Sequence, residues 1–209
     1  MPRRSPMLGR SRVFLLSPAH VGGKRAGYLF NPNADFPLAL RFQRGGVVTL
    51  GEAFSFLSGL YFRGKLTYAS RFATTADMVF VITSNRGLLP ADTPITVPEL
   101  QAFGAVDIDV DDERYRGPLE RDLARLAARE LCEVVLLGSI ATPKYVELLA
   151  GHLGDRLRYP ADFVGLGDMS RGAILLKAAR AGVELPYRAW GDLTVAPPSP
   201  SSARGPVAR

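Results

Sequence analysis

Cysteine and histidine are scarce in this chain of 209 residues, which has one cysteine, Cys132, and two histidines, His20 and His152. A single cysteine cannot build an internal disulfide framework or a Cys-rich metal site. Two histidines far apart in the sequence, without clustered carboxylates, do not supply the ligands of a zinc site. The acidic run at 107–113 lacks the ligand spacing of an EF-hand loop. We therefore expect no metal and no cofactor.

Long apolar segments are also missing. No run approaches the roughly 18 consecutive apolar residues that a membrane-spanning helix needs. The first 12 residues are basic but lack the apolar core of a secretory signal. We expect a cytoplasmic protein with no membrane partner, whereas the sequence carries no signature of its oligomeric state.

Positive charge is concentrated at the two ends of the chain. The net charge is +6, yet residues 13–190 contain 20 basic and 19 acidic residues. A core this balanced has no general electrostatic footprint for duplex DNA, although a local basic patch would still be compatible with nucleic acid. We expect a basic flexible arm at 1–12, one domain at 13–190, and a disordered Pro/Ser-rich tail at 191–209.

Short apolar runs predict the strands. The runs at 13–19, 78–85 and 132–140 are rich in β-branched or apolar residues and are typical of buried strands. The segment 105–110 alternates apolar and acidic residues, which predicts an edge strand with one wet face.

Helical patterns lie between these runs, at 50–72 (a helix pair), 117–130, 142–153 and 170–182. Pro118 suits the first position of its helix, Thr142 suits an N-cap, and Gly182 suits a C-terminal stop. Strands that alternate with helices predict an α/β fold, here a single three-layer domain with a largely parallel sheet and flanking helices.

The loop after the first strand, "SPAHVGGKRAGYLF", is the first candidate binding segment. Ser17 ends the strand, and Gly22, Gly23, Lys24 and Arg25 follow. Paired glycines let a ligand approach the backbone, while Lys and Arg attract a phosphate or a carboxylate. We expect these five residues to bind an anionic ligand, although the spacing is not that of a Walker A loop. The alternative is a tight surface turn with solvated bases.

The segment "LGSIATPKYVELL" is the second candidate, because Gly138 and Ser139 follow a strand and a helix begins close behind them. A helix N-terminus can bind an anion. Lys144 in the first turn opposes the helix dipole, which indicates either a ligand-binding role or a merely solvated lysine. We expect Gly138, Ser139 and Lys144 to line a pocket.

The turn "GLGDMSRG" is the third candidate. Gly167 permits unusual backbone angles, and Asp168 or Ser170 is expected to cap the following helix. Arg171 lies in the first turn, where a base is unfavourable unless it meets an anion. We expect Gly167, Ser170 and Arg171 to bind the ligand, with Asp168 as the first candidate for a general acid or base. The alternative is a glycine turn with a capping aspartate.

The segment 50–72 is dense in aromatic residues with interleaved bases. This pattern is typical of a helix pair that buries its rings, but it would also suit a stacking surface for nucleobases. Ser58-Gly59 and Arg63-Gly64-Lys65 predict a break that would face the same pocket, with Arg63 and Lys65 as ligand-binding residues. Glu52 is the second candidate acid or base, although it equally suits a first helical turn.

Four strings of the sequence resemble a known family. A first strand that ends in "LSPA", the central "FSFLSGLYFRGKL", a strand that ends in "VVLLGS", and a late glycine turn into a helix are similar to the YaaA-like proteins, which are bacterial peroxide-stress proteins with an α/β core linked to DNA binding. Related small domains occur near enzymes of modified guanine. The resemblance, spread over 13–180, implies the α/β fold and a nucleotide-like ligand, and it assigns no catalytic residue.

Taken together, these features predict a small protein that binds or acts on a nucleotide, a nucleoside or a nucleic-acid base, with a nucleotide-like or other anionic small molecule as partner. Whether it is an enzyme stays open. One alternative is a non-catalytic nucleic-acid-binding protein that uses the face of residues 54–72 and the basic arm. The other is an interaction module without a ligand, in which the glycine loops are only turns.

Overall fold

The computed structural model describes residues 11–75, 78–129, 132–140 and 143–194. Its strands are β1 Ser11–Leu16, β2 Val79–Ile82, β3 Leu88–Pro90, β4 Cys132–Leu137, β5 Leu157–Pro160 and β6 Tyr187–Ala189. They form one sheet in the order β3-β2-β1-β4-β5-β6. The central strands β2, β1, β4 and β5 run parallel, and β3 and β6 pair antiparallel at the edges. The predicted α/β class and largely parallel sheet are confirmed.

The helices of the described residues flank this sheet. They are α1 Lys24–Phe30, α2 Pro37–Gln43, α3 Leu50–Ser58, α4 Leu60–Phe72, α5 Val97–Gly104, α6 Glu113–Ala127, α7 Pro143–Leu153, α8 Asp168–Ala181 and α9 Gly191–Thr194. None of them is long and apolar enough to cross a membrane.

Helices cover both faces of the sheet, which explains why the central strands are apolar along their whole length. In β1, Phe14 and Leu16 face one helical layer, Val13 and Leu15 face the other, and all four are fully buried. Helices α1 to α5 and α8 form the first layer, whereas α6 and α7 form the second. The predicted three-layer arrangement is confirmed.

The segment 105–110 is a loop, so the predicted edge strand is wrong. Val106 and Ile108 are half-buried against the core, and Asp107 and Asp109 are exposed. The alternation of apolar and acidic residues therefore reflects a chain that packs one side on the core without pairing to a neighbouring strand.

Helix α6 begins at Glu113, so Pro118 lies inside the helix and not at its first position. The helix starts earlier because the Asp112 side chain accepts a hydrogen bond from the backbone N–H of Arg114 and acts as the N-cap. At the end of α8, Gly182 adopts φ +67°, which is the left-handed stop that the sequence predicts.

Two boundaries of the described residues differ from the sequence-based ones. Strand β1 begins at Ser11 and includes Arg12, whose guanidinium forms ion pairs with Glu184 and Glu133. The helix α9 lies in the segment that the sequence assigns to the tail. The rest of the predicted arm and tail, residues 1–10 and 195–209, lies outside the described residues.

The chain leaves β1 and β4 in opposite directions. From β1 it passes through the first layer to β2, and from β4 it passes through α7 in the second layer to β5. The carboxyl ends of β1 and β4 therefore lie side by side at a topological switch point, where open α/β sheets form their ligand-binding crevices.

Candidate functional site

A cavity of about 460 Å³ lies beyond the carboxyl ends of β1 and β4, and we refer to it as the switch-point cavity. Its walls come from the loop after β1, the start of α1, the α3–α4 junction, the first two turns of α4, Ser139 after β4 and the start of α8. The lining residues are Ser17, Pro18, Ala19, His20, Gly23, Lys24, Arg25, Ala26, Leu57, Ser58, Tyr61, Lys65, Ser139 and Asp168.

The three candidate loops meet at this cavity, together with the middle of α4. Of the residues that the sequence nominates, the lining includes Ser17, Gly23, Lys24, Arg25, Lys65, Ser139 and Asp168. The meeting follows from topology, because the loops leave the same edge of neighbouring parallel strands.

Lys65 is the most buried charged side chain at the cavity, with 1% of its surface exposed. Its Nζ donates hydrogen bonds to the backbone oxygen of Ser17 at 2.6 Å and to the Ser17 Oγ at 2.8 Å. Nζ also lies 4.5 Å from the ring centre of Tyr61 and 4.8 Å from that of Phe62. Within the described part of the chain, no carboxylate forms an ion pair with this ammonium group.

Burial lowers the pKa of Lys65 from 10.5 to about 7, because the ammonium form loses its hydration inside the protein. The charge of Asp168, at the start of α8, acts in the opposite direction and raises the pKa of Lys65. Lys65 therefore changes its charge near neutral pH, which is unusual for a lysine.

Close packing of α4 on α8 holds Lys65 in this place. A Cβ on Gly64 would lie 2.7 Å from the backbone oxygen of Gly172, and a Cβ on Gly172 would lie 2.9 Å from the Cα of Tyr61. The two glycines thus let the helix backbones touch. The predicted break at 63–65 is wrong, because α4 continues through Gly64.

The break in this region lies at Gly59, between α3 and α4, where φ is +67°. The guanidinium of Arg25 lies against this glycine and donates from Nη1 to the backbone oxygen of Phe56 at 2.9 Å. A side chain at Gly59 would strike the guanidinium, since its Cβ would lie 2.6 Å from Nη1. The predicted break at Ser58 and Gly59 therefore does face the cavity.

Gly138 lies beneath the cavity and does not line it. A Cβ there would lie 2.8 Å from the Tyr145 hydroxyl and 2.9 Å from the Ser17 Cβ, so the glycine leaves room for the contact between β1, β4 and α7. The Tyr145 hydroxyl donates to the backbone oxygen of Ser139 at 3.0 Å, and burial raises the pKa of this tyrosine. Thr142 and the side chain of Lys144 lie outside the described residues.

The start of α8 differs from its prediction, because neither Asp168 nor Ser170 caps the helix. The N-cap is Gly167, which has no side chain to offer, and Asp168 is the first helical residue. Ser170 is exposed and does not line the cavity. Arg171 is 6% exposed, and its Nε and Nη2 donate to the backbone oxygen of Phe163 at 3.3 and 3.2 Å. Its Nη1 lies 3.6 Å from Asp168 Oδ1.

Glu52 does not line the cavity and serves the start of α3. Its carboxylate accepts hydrogen bonds from the backbone and hydroxyl of Thr49 and pairs with Arg41 at 2.8 Å. These contacts, with Arg41 first, lower the pKa of Glu52 to about 2. A carboxylate with such a pKa is a poor general base at neutral pH, so the geometry favours the first-turn interpretation of this residue.

Gly22 and Arg63 also lie outside the lining of the cavity. Gly22 is covered by the imidazole of His20, whose Nε2 would lie 3.0 Å from a Cβ at Gly22. Arg63 is exposed on the far side of α4, where it lines a shallow depression together with Lys177 and Arg180.

The rings of residues 54–72 are mostly inside the protein. Phe54, Phe62 and Tyr68 are 1% exposed or less, and Tyr61 is 6% exposed. This burial agrees with the helix-pair interpretation and leaves no exposed row of rings for stacking on nucleobases.

Two tyrosines of the site carry no clear sequence signal. Tyr61 lines the cavity, lies beside Arg171, and has its pKa raised by burial. Tyr145 contributes from the second layer through α7. A tyrosine in an amphipathic helix looks like a core residue, so only the tertiary structure places these two at the site. Among the described residues, no group of three or more His, Cys, Asp or Glu is arranged to hold a metal ion.

Comparisons with protein-family models, with curated proteins and with solved structures found no match for this chain.

Proposed function

We propose that this protein binds a small anionic ligand with nucleotide-like chemistry in the switch-point cavity. The observation that carries the proposal is Lys65. Its buried ammonium group contacts neutral oxygens and aromatic rings but, among the described residues, forms no ion pair with a carboxylate. A buried charge without a counter-charge is costly, so a phosphate or carboxylate that reaches it gains a strong charge-assisted hydrogen bond.

The other charges of the cavity support an anionic ligand. Lys24 and Arg25 line it and are exposed to solvent, which suits a ligand that enters from outside. Asp168 is the one acidic residue among the described residues of the lining. In this proposal Asp168 is also the carboxylate that would exchange a proton with the bound ligand in any reaction.

The proposal is tested by calorimetric titration and thermal unfolding with orthophosphate and a set of nucleoside monophosphates, since a ligand of the native state raises the unfolding midpoint. We expect binding that weakens in Lys65→Met and Lys24→Ala. Lys177→Ala is the matched control, because Lys177 is an exposed lysine outside this cavity. If neither orthophosphate nor any monophosphate binds the folded protein, the proposal is wrong. For any turnover that is found, unchanged activity in a folded Asp168→Ala variant would remove Asp168 from catalysis.

Nucleic-acid binding is the second candidate, and one observation favours it. Arg63, Lys177 and Arg180 are exposed and line the same depression between α4 and α8, away from the switch-point cavity. Such a basic face would contact phosphates of a nucleic-acid backbone with strongly salt-dependent affinity. This candidate predicts that Arg63→Ala weakens DNA binding and leaves orthophosphate binding unchanged.

A further inference from the structure

A second cavity, of about 280 Å³, adjoins the switch-point cavity on the side of β2, and we refer to it as the β2 cavity. Residues 18–20 line both cavities, so this short segment of the loop after β1 forms their common wall. A ligand that lies across residues 18–20 would occupy both cavities at once.

The β2 cavity differs from its neighbour in chemistry. Phe54, Phe103, Val106 and Ile108 give it apolar walls, and none of the described residues that line it is a lysine or an arginine. The switch-point cavity, in contrast, contains Lys24, Arg25 and Lys65. A basic cavity beside one that has apolar side chains and no lysine or arginine fits a ligand with an anionic group at one end and an uncharged ring at the other.

The polar side chains that line the β2 cavity are His20, Ser84 and Asp107, and they are not equivalent. The Ser84 hydroxyl already donates to the backbone oxygen of Phe103 at 2.7 Å. The Asp107 carboxylate lines the cavity and is exposed. The nearby Arg114 is attracted to Asp107 but pairs with Asp112 through several hydrogen bonds. Asp107 is therefore an acceptor that a ligand N–H can reach.

The loop at 105–110 builds one wall of this cavity. Three consecutive residues, Val106, Asp107 and Ile108, all line it. In a strand, successive side chains would point to opposite faces. This segment is not a strand, because it lies along the cavity and neighbouring side chains all face the cavity. The same conformation gives the cavity this wall.

We propose that the β2 cavity receives a planar ring of the ligand whose anionic group binds in the switch-point cavity, and that Asp107 selects rings that carry an amino group. The ligand class is a nucleoside monophosphate with an amino-bearing base, and this inference rests on the proposed function. The apolar walls contact the faces and edges of the ring, and the carboxylate accepts the amino N–H.

Cytidine 5′-monophosphate and uridine 5′-monophosphate form a matched pair for the test, because the bases are nearly equal in size and differ at position 4, where cytosine has an amino group and uracil a carbonyl oxygen, and at N3, which carries a hydrogen only in uracil. A carboxylate that faces position 4 accepts the cytosine amino N–H and is repelled by the uracil oxygen. Calorimetric titration should give tighter binding for the cytidine compound than for the uridine compound and for orthophosphate. Asp107→Asn should abolish the preference for cytidine over uridine. Asp111→Asn, which removes the same charge from an exposed position outside the cavity, should keep the preference.

Filling the β2 cavity tests the ring site directly. Ile108→Trp should weaken cytidine monophosphate binding by about tenfold or more, as expected from the loss of one buried apolar ring contact, and should leave orthophosphate affinity within about twofold. Val47→Trp, an apolar-to-Trp change at an exposed position, is the control. Val106→Phe is a second filling variant if the thermal unfolding of Ile108→Trp shows a damaged fold.

The two proposals fail in different ways. Unchanged cytidine monophosphate affinity in both filling variants, or an equal loss of orthophosphate affinity, would overturn the ring site and leave the anion site standing. If neither orthophosphate nor any monophosphate binds the folded protein, the proposed function is wrong. In that case, binding of the nucleoside cytidine that is lost in Ile108→Trp would still support the ring site, and a failure of cytidine to bind would overturn it.

Discussion

The two helical layers of this protein differ in that, among the described residues, the first buries two charged side chains and the second buries none. In the second layer, α6 keeps its arginines outside, where Arg121 and Arg125 share the carboxylate of Asp122 and are more than half exposed. In the first layer, α4 and α8 bury Lys65 and Arg171 to 1% and 6% exposure. Lys65 contacts Ser17 at the end of β1, and Arg171 contacts Phe163 beyond the end of β5.

This difference separates the side chains that stabilise the core from those of the candidate site. The core of the second layer is built from leucines such as Leu119 and Leu123, which pack on the sheet and need no hydrogen-bond partner for their side chains. In the first layer, a buried ammonium group and glycines inside two helices lower the stability of the fold next to the switch-point cavity. Conflicts with local rules of this kind are expected at functional sites.

The largest expected effect is the pH dependence of stability that Lys65 introduces. The unfolded chain keeps this lysine protonated up to about 10.5, whereas the folded protein releases the proton at about 7. The unfolded state therefore binds more protons between these values, and the free energy of unfolding rises with pH by at most about 1.4 kcal/mol per unit. Below pH 7 both states are charged, and the full penalty of burial remains.

Urea unfolding at several pH values checks this expectation. In Lys65→Met the rise in stability between pH 7 and 10 should be smaller than in the wild type, and the difference between the two curves isolates Lys65 from the tyrosines that titrate in the same range. Lys24→Met, at an exposed lysine of the same cavity, should keep the wild-type slope. Parallel curves for the wild type and Lys65→Met would show that Lys65 is not a buried cation.

The glycines of the two layers should respond in opposite directions to the same substitution. Gly64→Ala in α4 places a Cβ 2.7 Å from a backbone oxygen of α8 and should cost about 3 kcal/mol, because two backbones must move apart. Gly151→Ala in α7 meets nothing within 4 Å and should stabilise the protein by about 0.5–1 kcal/mol. Equal effects in chemical denaturation would mean that α4 and α8 are not in close contact.

Arginines of the two layers should differ as well. Arg171→Leu removes a buried guanidinium that donates to the Phe163 backbone oxygen, and we expect a loss of about 2 kcal/mol. Arg125→Leu removes an exposed partner of Asp122 and should change stability by less than about 0.5 kcal/mol. A silent Arg171→Leu would contradict the distinction between the layers.

The sequence was sufficient to predict the strands and helices that have a regular hydrophobic pattern. Buried parallel strands leave apolar runs, and amphipathic helices leave a spacing, so β1, β2, β4 and most of the long helices were predictable. The strands β3, β5 and β6 are only three or four residues long and pair at or near the edges of the sheet. Strand β2 also has four residues, but all four are apolar, whereas β3 ends in a proline and β5 and β6 each contain an arginine, so these three segments resemble turns.

The residues of the candidate site were predictable where strand topology fixes their position, and they were not predictable where helix packing does. Loops after neighbouring parallel strands must meet, which brings Ser17 and Ser139 to one cavity. In contrast, the amino-acid sequence of α4 does not show that Lys65 points inward while Arg63 points to solvent. That outcome depends on which face of α4 meets α8, and hence on Gly64 and Gly172.

A change of anion affinity with pH would join the buried lysine of the first layer to the proposed function. Sulfate is the suitable probe, because it stays fully ionised across this range. An anion beside Lys65 binds the protonated form, so its affinity should be flat below pH 7 and fall by up to about tenfold per unit above it, as the lysine with a pKa of about 7 loses its charge. Calorimetric titration of Lys65→Met should give weaker binding without this slope, whereas Lys24→Met should keep it. A wild-type affinity that stays constant from pH 6 to 9 would separate the anion from Lys65, and the first layer would then bury its lysine for structural reasons alone.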